Sequence, residues 1–469
     1  MGSILGAYLM PHPPIIMKEV GKGEEKKVQK TADAMLLVAR DIKEKKPAAL
    51  IMVTPHGPLF SDAVAISVKP ELTGNMGMFG AKHVKFTKEN HLDLTNKILQ
   101  FARLREFPCG MVNQDLAREY DLSLELDHGT MVPLYFIDQE YIHYKLVHIT
   151  YGLLPREDLY AFGKIIQEAI DELSENVVII ASGDLSHRLS KDAPGGYHPS
   201  GKVFDEKFLS LLEGGDIEEF FSLERSLSEE AGECGLRAVD IMLGACDGYE
   251  ISPKVLSYEG PFGVGYGVVQ MNLGGKSGDR LFHEHLVTRR EDRLRQIRVK
   301  EDAYVRLARE ALEKYVKEGR QIKESKNATA EMLENKAGVF VSLKKYGELR
   351  GCIGTIAPTR ENLVQEIIRN AIQAGTADPR FYPVEEEELE TLVYSVDILM
   401  EPEPIQSLEE LDVKRYGVIV TSGERSGLLL PNLEGINTVE EQIRIALQKA
   451  GIGINERYNL QRFEVIRHH

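Results

Sequence analysis

Three histidines stand directly after apolar segments that are rich in β-branched residues and end in a polar or Gly/Pro turn. They are His12 in SILGAYLMPHPP, His56 in PAALIMVTPHGP and His187 in NVVIIASGDLSH. In an open α/β sheet, ligands bind in the crevice beyond the carboxyl ends of the strands, so strand-end histidines far apart in sequence can meet there. Since imidazole is the commonest metal ligand, the pattern predicts a metal site at that edge.

Two neutral imidazoles need a third and preferably anionic ligand to complete the facial triad that leaves positions open on non-haem Fe(II). The candidates are Glu233 and Cys234 in SEEAGECGLRAVDIML, just before an apolar helix, and Glu259 in SYEGPFG. One helical crossover joins the strands of His12 and His56, which tends to place such strands side by side or nearly so. We therefore expect their ring nitrogens within about 5 Å of each other, since metal–nitrogen bonds are about 2 Å long.

Two further motifs carry polar groups that suit work on a substrate. SGDLSH places Asp184 and His187 three residues apart, and a histidine with a pKa near neutrality can take a proton from a phenol and return it. In LDHGT, His128 lies in a segment predicted to be a loop, where it could stabilise developing negative charge. The histidines without such contexts are predicted to be ordinary surface or core residues: His83, His91, His143 and His148.

The elements that must position these residues alternate between strands and helices from residue 4 to about 272. For example, KKVQKTADAMLLVARDIKEKK is amphipathic and lies between the strands of His12 and His56. This alternation predicts an α/β domain with a mostly parallel sheet flanked by helices. The rest mixes hairpin-like and helical segments and predicts a smaller α+β domain. The expected limits are 1–273 for the first domain, 274–298 for a linker and 299–469 for the second domain.

Composition narrows the function classes. The chain has 469 residues and a net charge of −16, from 57 basic and 73 acidic residues, which opposes binding to nucleic acid. We see no apolar run long enough for a bilayer and no signal peptide, so we expect a cytoplasmic protein without a membrane partner. Four cysteines without a CxxC pair favour a reducing compartment. Assembly into a homo-oligomer is left open.

Taken in order, PHPP, TPHG, LDHGT and SGDLSH resemble the class III extradiol ring-cleavage dioxygenases, the superfamily of the catalytic subunit of protocatechuate 4,5-dioxygenase. The resemblance implies Fe(II) as cofactor, with His12 and His56 as ligands beside a glutamate. It implies His187 as the acid/base and His128 as a substrate-side residue, with a catechol-like diol and dioxygen as substrates.

The third-ligand segment, ECGLRAVDIMLGA, is more similar to the Memo branch of the same superfamily, whose Cys-Gly motif supplies a cysteine ligand. Asp184 and His187 resemble that branch as well. This similarity favours Cys234 as the third ligand, with Glu233 as the alternative. A thiolate would equally suit copper or zinc, in which case the protein would be a metal-dependent redox or binding protein.

The second domain resembles the AMMECR1 family over about 295–466, through ELRGCIGTIAP, AGTADPRFYPV and GLLLPNLEG. Glycines flank Cys352, and Arg350 could hold an anionic group. The chemical role of both stays open, and Asp378 and Arg380 are predicted to shape a turn. Memo-like and AMMECR1-like proteins occur together with a radical SAM protein, so the resemblance implies such a partner in a shared modification pathway.

Overall fold

Two units make up the chain and part between Arg289 and Arg290. The structure is a computed structural model that describes residues 2–323, 325–433 and 435–469. Helix α11 (His283–Lys300) runs through the boundary and occupies most of the expected linker. Within the described residues, no helix has both the length and the apolar character that crossing a bilayer requires.

The N-terminal unit alternates strands and helices along most of its length. Its strands are β1 (Ser3–Met10), β2 (Ala49–Thr54), β3 (Val64–Ser67), β4 (Glu71–Met76), β5 (Ala81–Glu89), β6 (Cys109–Val112), β7 (Lys145–Thr150), β8 (Asn176–Ser182), β9 (Tyr249–Glu259) and β10 (Tyr266–Lys276). Its α-helices are α1 (Lys18–Gly21), α2 (Gln29–Lys45), α3 (Leu92–Leu104), α4 (Gln114–Glu119), α5 (His128–Ile137), α6 (Arg156–Asp171), α7 (Pro199–Gly214), α8 (Ile217–Phe220), α9 (Arg225–Ala231) and α10 (Leu236–Ala245).

Eight of these strands form one sheet in the order β6-β3-β7-β2-β8-β1-β10-β9, and β4 and β5 form a separate hairpin. The four central strands β7, β2, β8 and β1 are mutually parallel, so their carboxyl ends share one edge. The outer pairs β3–β7, β1–β10 and β10–β9 are antiparallel. The predicted mostly parallel α/β sheet is confirmed.

Helices cover both faces of the sheet. Successive side chains of a strand point to opposite faces, so each strand contributes to two cores. On β1, Ala7 and Leu9 join a core that includes residues of α3, α6 and α10. Tyr8 and Met10 face the other way, into a core shared with α2 and α5. This layering explains why the central strands read as continuous apolar runs.

One expectation is confirmed and one, for His128, is wrong. β1 and β2 lie nearly side by side, as expected, with β8 between them and paired with both. His128 is not in a loop: it is the first residue of α5, whose N-cap Asp127 accepts a hydrogen bond from the backbone N–H of Thr130. The helix therefore fixes the backbone of His128 and the direction in which its side chain leaves the chain.

The C-terminal unit is α+β, as predicted. Its strands are β11 (Val339–Lys345), β12 (Glu348–Gly354), β13 (Leu392–Leu399), β14 (Glu403–Pro404), β15 (Gly417–Ser422), β16 (Arg425–Leu429), β17 (Asn459–Phe463) and β18 (Val465–His468). Its α-helices are α12 (Ala303–Glu318), α13 (Ala330–Glu334), α14 (Leu363–Thr376) and α15 (Val439–Ala450). They accompany two antiparallel sheets, ordered β12-β11-β13-β18 and β14-β17-β15-β16.

Candidate metal centre

His12 follows β1 and presents one ring nitrogen as an unprotonated acceptor. Its Nδ1 lies 2.9 Å from Oγ of Ser182, at the end of β8, and that hydroxyl donates to the carbonyl of Gly129. The Ser182 proton is thereby used, so Nδ1 of His12 must donate and Nε2 keeps its lone pair. Burial, reinforced by the neighbouring His128, lowers the pKa of His12 to about 3. The imidazole is therefore neutral at physiological pH, as a metal ligand must be.

His56 meets His12 at this edge of the sheet. The two Nε2 atoms are 3.0 Å apart, which confirms the expected separation, and the rings stand at 81° to each other. Two nitrogens bound to one ion at about 2.1 Å and at right angles are about 3.0 Å apart. Burial also lowers the pKa of His56 to about 3, with His12 as the next cause.

Cys234 approaches His12 from the loop before α10. Its Sγ lies 3.6 Å from Nε2 of His12 and accepts a hydrogen bond from the backbone N–H of Asp184 at 3.3 Å. This approach needs glycine at the end of β8, because a Cβ on Gly183 would lie 2.2 Å from Cα of Gly235. Burial raises the pKa of the Cys234 thiol well above its ordinary value, so a metal would have to displace its proton.

The two alternative carboxylates are engaged elsewhere. Glu233 accepts a hydrogen bond from the backbone N–H of Leu236 at 2.7 Å, at the start of α10, and burial raises its pKa to about 7. Glu259 accepts from the backbone N–H and the hydroxyl of Thr31, near the start of α2. Of the three sequence candidates for the third ligand, Cys234 is the one that the structure brings beside His12.

His128 joins these two histidines, with its ring nearly parallel to that of His56 and nearly perpendicular to that of His12. One nitrogen from each of His12, His56 and His128 lies within 4.8 Å of the other two. The rings of His56 and His128 are stacked, with centroids 4.2 Å apart and planes at 24°. An imidazole binds a metal in the plane of its ring, and two nearly parallel stacked planes do not share a nearby point. In this conformation one nearby ion cannot lie in the ring planes of both His56 and His128.

Asp184 and His187 flank the cluster on the loop after β8. Asp184 accepts a hydrogen bond from the backbone N–H of His12 at 2.9 Å, and burial raises its pKa to about 6. Nδ1 of His187 is hydrogen-bonded to the carbonyl of Gly232, which can only accept. In the neutral His187 ring, Nε2 therefore carries the lone pair and is the atom that can take up a proton.

The sequence did not assign a role to three residues that support the cluster. Asp127 accepts hydrogen bonds from the hydroxyl of Thr54 at 2.6 Å and from Nε2 of His148 at 2.9 Å. Burial acts to raise the pKa of Asp127, but the His148 and Thr54 contacts outweigh it and hold that pKa far below its ordinary value. Asp127 lies in the LDHGT motif as a helix N-cap, which was a usable signal. His148 gave none, because its contact depends on strand order.

The LRGCIG segment in the C-terminal unit forms strand β12 and is tied to its own surroundings. Nε and Nη2 of Arg350 donate to the two carboxylate oxygens of Glu388, at 3.0 and 2.7 Å, so the anion it holds belongs to the chain. The backbone N–H of Cys352 donates to Asp378, and the Asp378 carboxylate also pairs with the Arg380 side chain. Burial raises the pKa of the Cys352 thiol.

The donor set in the N-terminal unit fits a transition metal. Imidazole and thiol donors suit iron, copper and zinc, and the His12–His56 and His12–Cys234 spacings match neighbouring positions around one ion. Ser182 fixes the His12 ring from its far side, as is usual for metal-binding histidines.

Similar proteins support the division of the chain. Residues 6–269 match the family described as the catalytic LigB subunit of aromatic ring-opening dioxygenase, and residues 305–468 match AMMECR1. A protein of Clostridium acetobutylicum is 49% identical over 467 residues, which cover 99% of both chains. A Thermotoga maritima protein is 53% identical over 153 residues, 32% of this chain and 88% of its own.

Solved structures resemble parts of the chain. An uncharacterized protein of Pyrococcus horikoshii covers 35% of this chain and 88% of its own, with 38% identity and a TM-score of 0.33. An uncharacterized protein of Escherichia coli covers 57% and 99%, with 15% identity and a TM-score of 0.39. By its matched residues and its full-length relative, the chain belongs to the family of the catalytic LigB subunit of aromatic ring-opening dioxygenases, with an AMMECR1 domain in the same polypeptide.

Proposed function

We propose that the N-terminal unit is a metal-dependent oxidoreductase of the class III extradiol type, with Fe(II) held by His12, His56 and Cys234. One observation carries the proposal: the Nε2 atoms of His12 and His56 lie 3.0 Å apart on perpendicular rings, with the Cys234 thiol 3.6 Å from His12. Family membership supports the same class of chemistry. The substrates are a catechol-like or related small diol and dioxygen.

The metal, when bound, supplies one-electron chemistry and open positions at which a chelating diol and dioxygen can meet. Around it the side chains bind the diol and move protons. Nε2 of His187 accepts a proton from a substrate hydroxyl, while its Nδ1 stays fixed on the Gly232 carbonyl. His128, stacked on His56, faces the substrate and donates a hydrogen bond to developing negative charge. Asp184 holds the His12 backbone beside them.

The test is anaerobic reconstitution with Fe(II), followed by oxygen-uptake measurements on a panel of 1,2-dihydroxyaromatic compounds. We expect oxygen uptake with at least one diol, and a product that contains both atoms of dioxygen. Uptake that persists in His12→Ala protein would contradict the proposal, because it would not depend on the centre.

A second candidate follows from the Cys234 position. Cys234, and not Glu233, faces His12, so the centre can also be that of a Memo-like protein that binds iron or copper and has little ring-cleaving activity. In that case the AMMECR1 domain and a radical SAM protein would act with it in a modification pathway. Copper in the protein as purified, with no diol-dependent oxygen uptake, would favour this candidate over the first.

A further inference from the structure

One buried carboxylate connects two of the three clustered histidines. Asp127 accepts four hydrogen bonds: from the Thr54 hydroxyl at 2.6 Å, from Nε2 of His148 at 2.9 Å, and from the N–H and the hydroxyl of Thr130, both at 3.1 Å. Thr54 and Thr130 are fully buried, and His148 is 5% exposed. A hydrogen bond away from solvent is stronger than one in water, so these four bonds hold Asp127 and its partners in fixed positions.

The network reaches His56 through Thr54. The Thr54 oxygen accepts a hydrogen bond from the backbone N–H of His56 at 3.2 Å while its own proton goes to Asp127. It reaches His128 through the chain itself, because Asp127 is the N-cap of α5 and His128 is the first helical residue. The Asp127 side chain thus fixes the backbone positions of both His56 and His128.

Close packing at two glycines reinforces the same arrangement. A Cβ on Gly129 would lie 2.5 Å from the Thr54 hydroxyl and 3.3 Å from Cδ2 of His56. A Cβ on Gly57 would lie 2.1 Å from the Thr150 hydroxyl and 3.3 Å from Cε1 of His148. The His56 loop is therefore pressed between the start of α5 and strand β7, with little room to change its position.

We propose that Asp127, Thr54 and His148 are positioning residues of the centre. They hold the His56 ring perpendicular to His12 and stack His128 on it, so that His56 serves the metal and His128 is left for the substrate. The roles of the His56 and His128 rings rest on the proposed function. The positions of these rings can be tested without a metal.

The first experiment uses metal-free full-length protein labelled with ¹³C at histidine Cε1, with the His56 and His128 signals assigned by replacing each with Gln. We expect one sharp signal for each ring in the wild type. Asp127→Asn and Thr54→Val should shift and broaden both signals, whereas Thr54→Ser keeps the hydroxyl and should leave them in place. The matched control is Asp247→Asn, since Asp247 is also buried and accepts from Tyr160 and from the backbone N–H of Phe282.

The second experiment measures Co(II) affinity by absorption spectroscopy on the same variants. Loss of residues that orient metal ligands typically weakens binding about 10- to 100-fold, and we expect that range for Asp127→Asn and His148→Phe. His148→Gln can still donate to Asp127 and should rescue most of the loss. Asp247→Asn should bind Co(II) as the wild type does.

The two experiments separate the possible failures. Unchanged His56 and His128 signals in Asp127→Asn and Thr54→Val would overturn the positioning inference, whether or not the protein binds metal. Equal loss in His148→Gln and His148→Phe would also count against it, because the hydrogen bond would then not matter. Wild-type protein that binds no Co(II) but shows the expected ring signals would overturn the proposed function and leave the positioning inference standing.

Discussion

Cys234 and Cys352 both stand beside glycines in short motifs, but their surroundings differ. Around Cys352 the polar groups satisfy one another: Arg350 pairs with Glu388, and Asp378 binds both Arg380 and the Cys352 backbone. Around Cys234 the groups converge on one acceptor, since Nε2 of His12 faces both Nε2 of His56 and the thiol. A closed polar network stabilises a strand, whereas imidazole nitrogens and a thiol that converge in this way are suited to share one metal ion.

The largest expected effect is on metal affinity. His12→Ala should weaken Co(II) binding at least about 100-fold, more than loss of an outer partner does, because it removes the nitrogen that faces both His56 and Cys234. Competition with a metal-sensitive dye would measure the change. His143→Ala is the control, since that histidine is exposed. Near-normal Co(II) affinity in His12→Ala would mean that the Cys234 region, like the Cys352 region, does not bind a metal through these residues.

His187→Ala should lower turnover of a diol about 100-fold or more, the usual scale for loss of a general acid/base, while metal affinity stays unchanged. The reason is that His187 is held by Gly232 and offers Nε2 for proton transfer. Steady-state oxygen uptake and Co(II) titration together measure both quantities. Loss of metal along with activity would make His187 a ligand.

Replacement of the two adjacent candidates for the third ligand should distinguish between them. Cys234→Ser should weaken Co(II) binding about tenfold or more, whereas Glu233→Gln should leave it nearly unchanged, because Glu233 binds the start of α10. Both variants keep the size of the side chain. If Glu233→Gln alone removed the metal, Glu233 would be the third ligand, as a glutamate is in the ring-cleaving enzymes that the sequence resembles.

How far the sequence could predict this site depends on how local each feature is. The strands that end near His12 and His56, and their meeting at the carboxyl edge, follow from apolar runs and from the parallel order of such sheets. The intervening β8 and the His148–Asp127 contact could not be predicted, because strand order and register depend on packing across the whole unit. The Asp127 N-cap could have been predicted from DHGT, because Asp is a common N-cap residue. The apolar residues and Pro133 that follow do not show the pattern of an amphipathic helix, so the helix was not predicted.

The smallest expected effect concerns the closed network in the C-terminal unit. Glu388→Gln should lower the free energy of unfolding by about 1 to 2 kcal/mol at pH 7 without changing Co(II) affinity, since solvent partly screens the pair. Burial opposes ionisation, but Arg350 and Lys345 prevail and lower the pKa of Glu388 from 4.5 to about 2. A lowered carboxyl pKa stabilises the fold above pH 4.5, and this contribution is lost as the pH falls towards 2.

Urea unfolding, monitored by reaction of the Cys352 thiol with a pyridyl disulfide that remains reactive in acid, measures this difference at pH 7 and at pH 3. The gap between wild type and Glu388→Gln should be largest at pH 7 and should shrink at pH 3. A gap that is independent of pH would mean that the charge of Glu388 does not contribute. A change in metal affinity would mean that the two regions are not independent.

Whether His12, His56 and Cys234 form one metal centre can be measured by an anaerobic Co(II) titration that is followed by absorption spectroscopy. We expect saturation at one ion per chain, with a thiolate-to-cobalt charge-transfer band that disappears in Cys234→Ser and with proton release as the buried thiol ionises. Saturation without that band would mean that Cys234 is not a ligand, and no saturable binding would mean that the three residues do not form a metal centre.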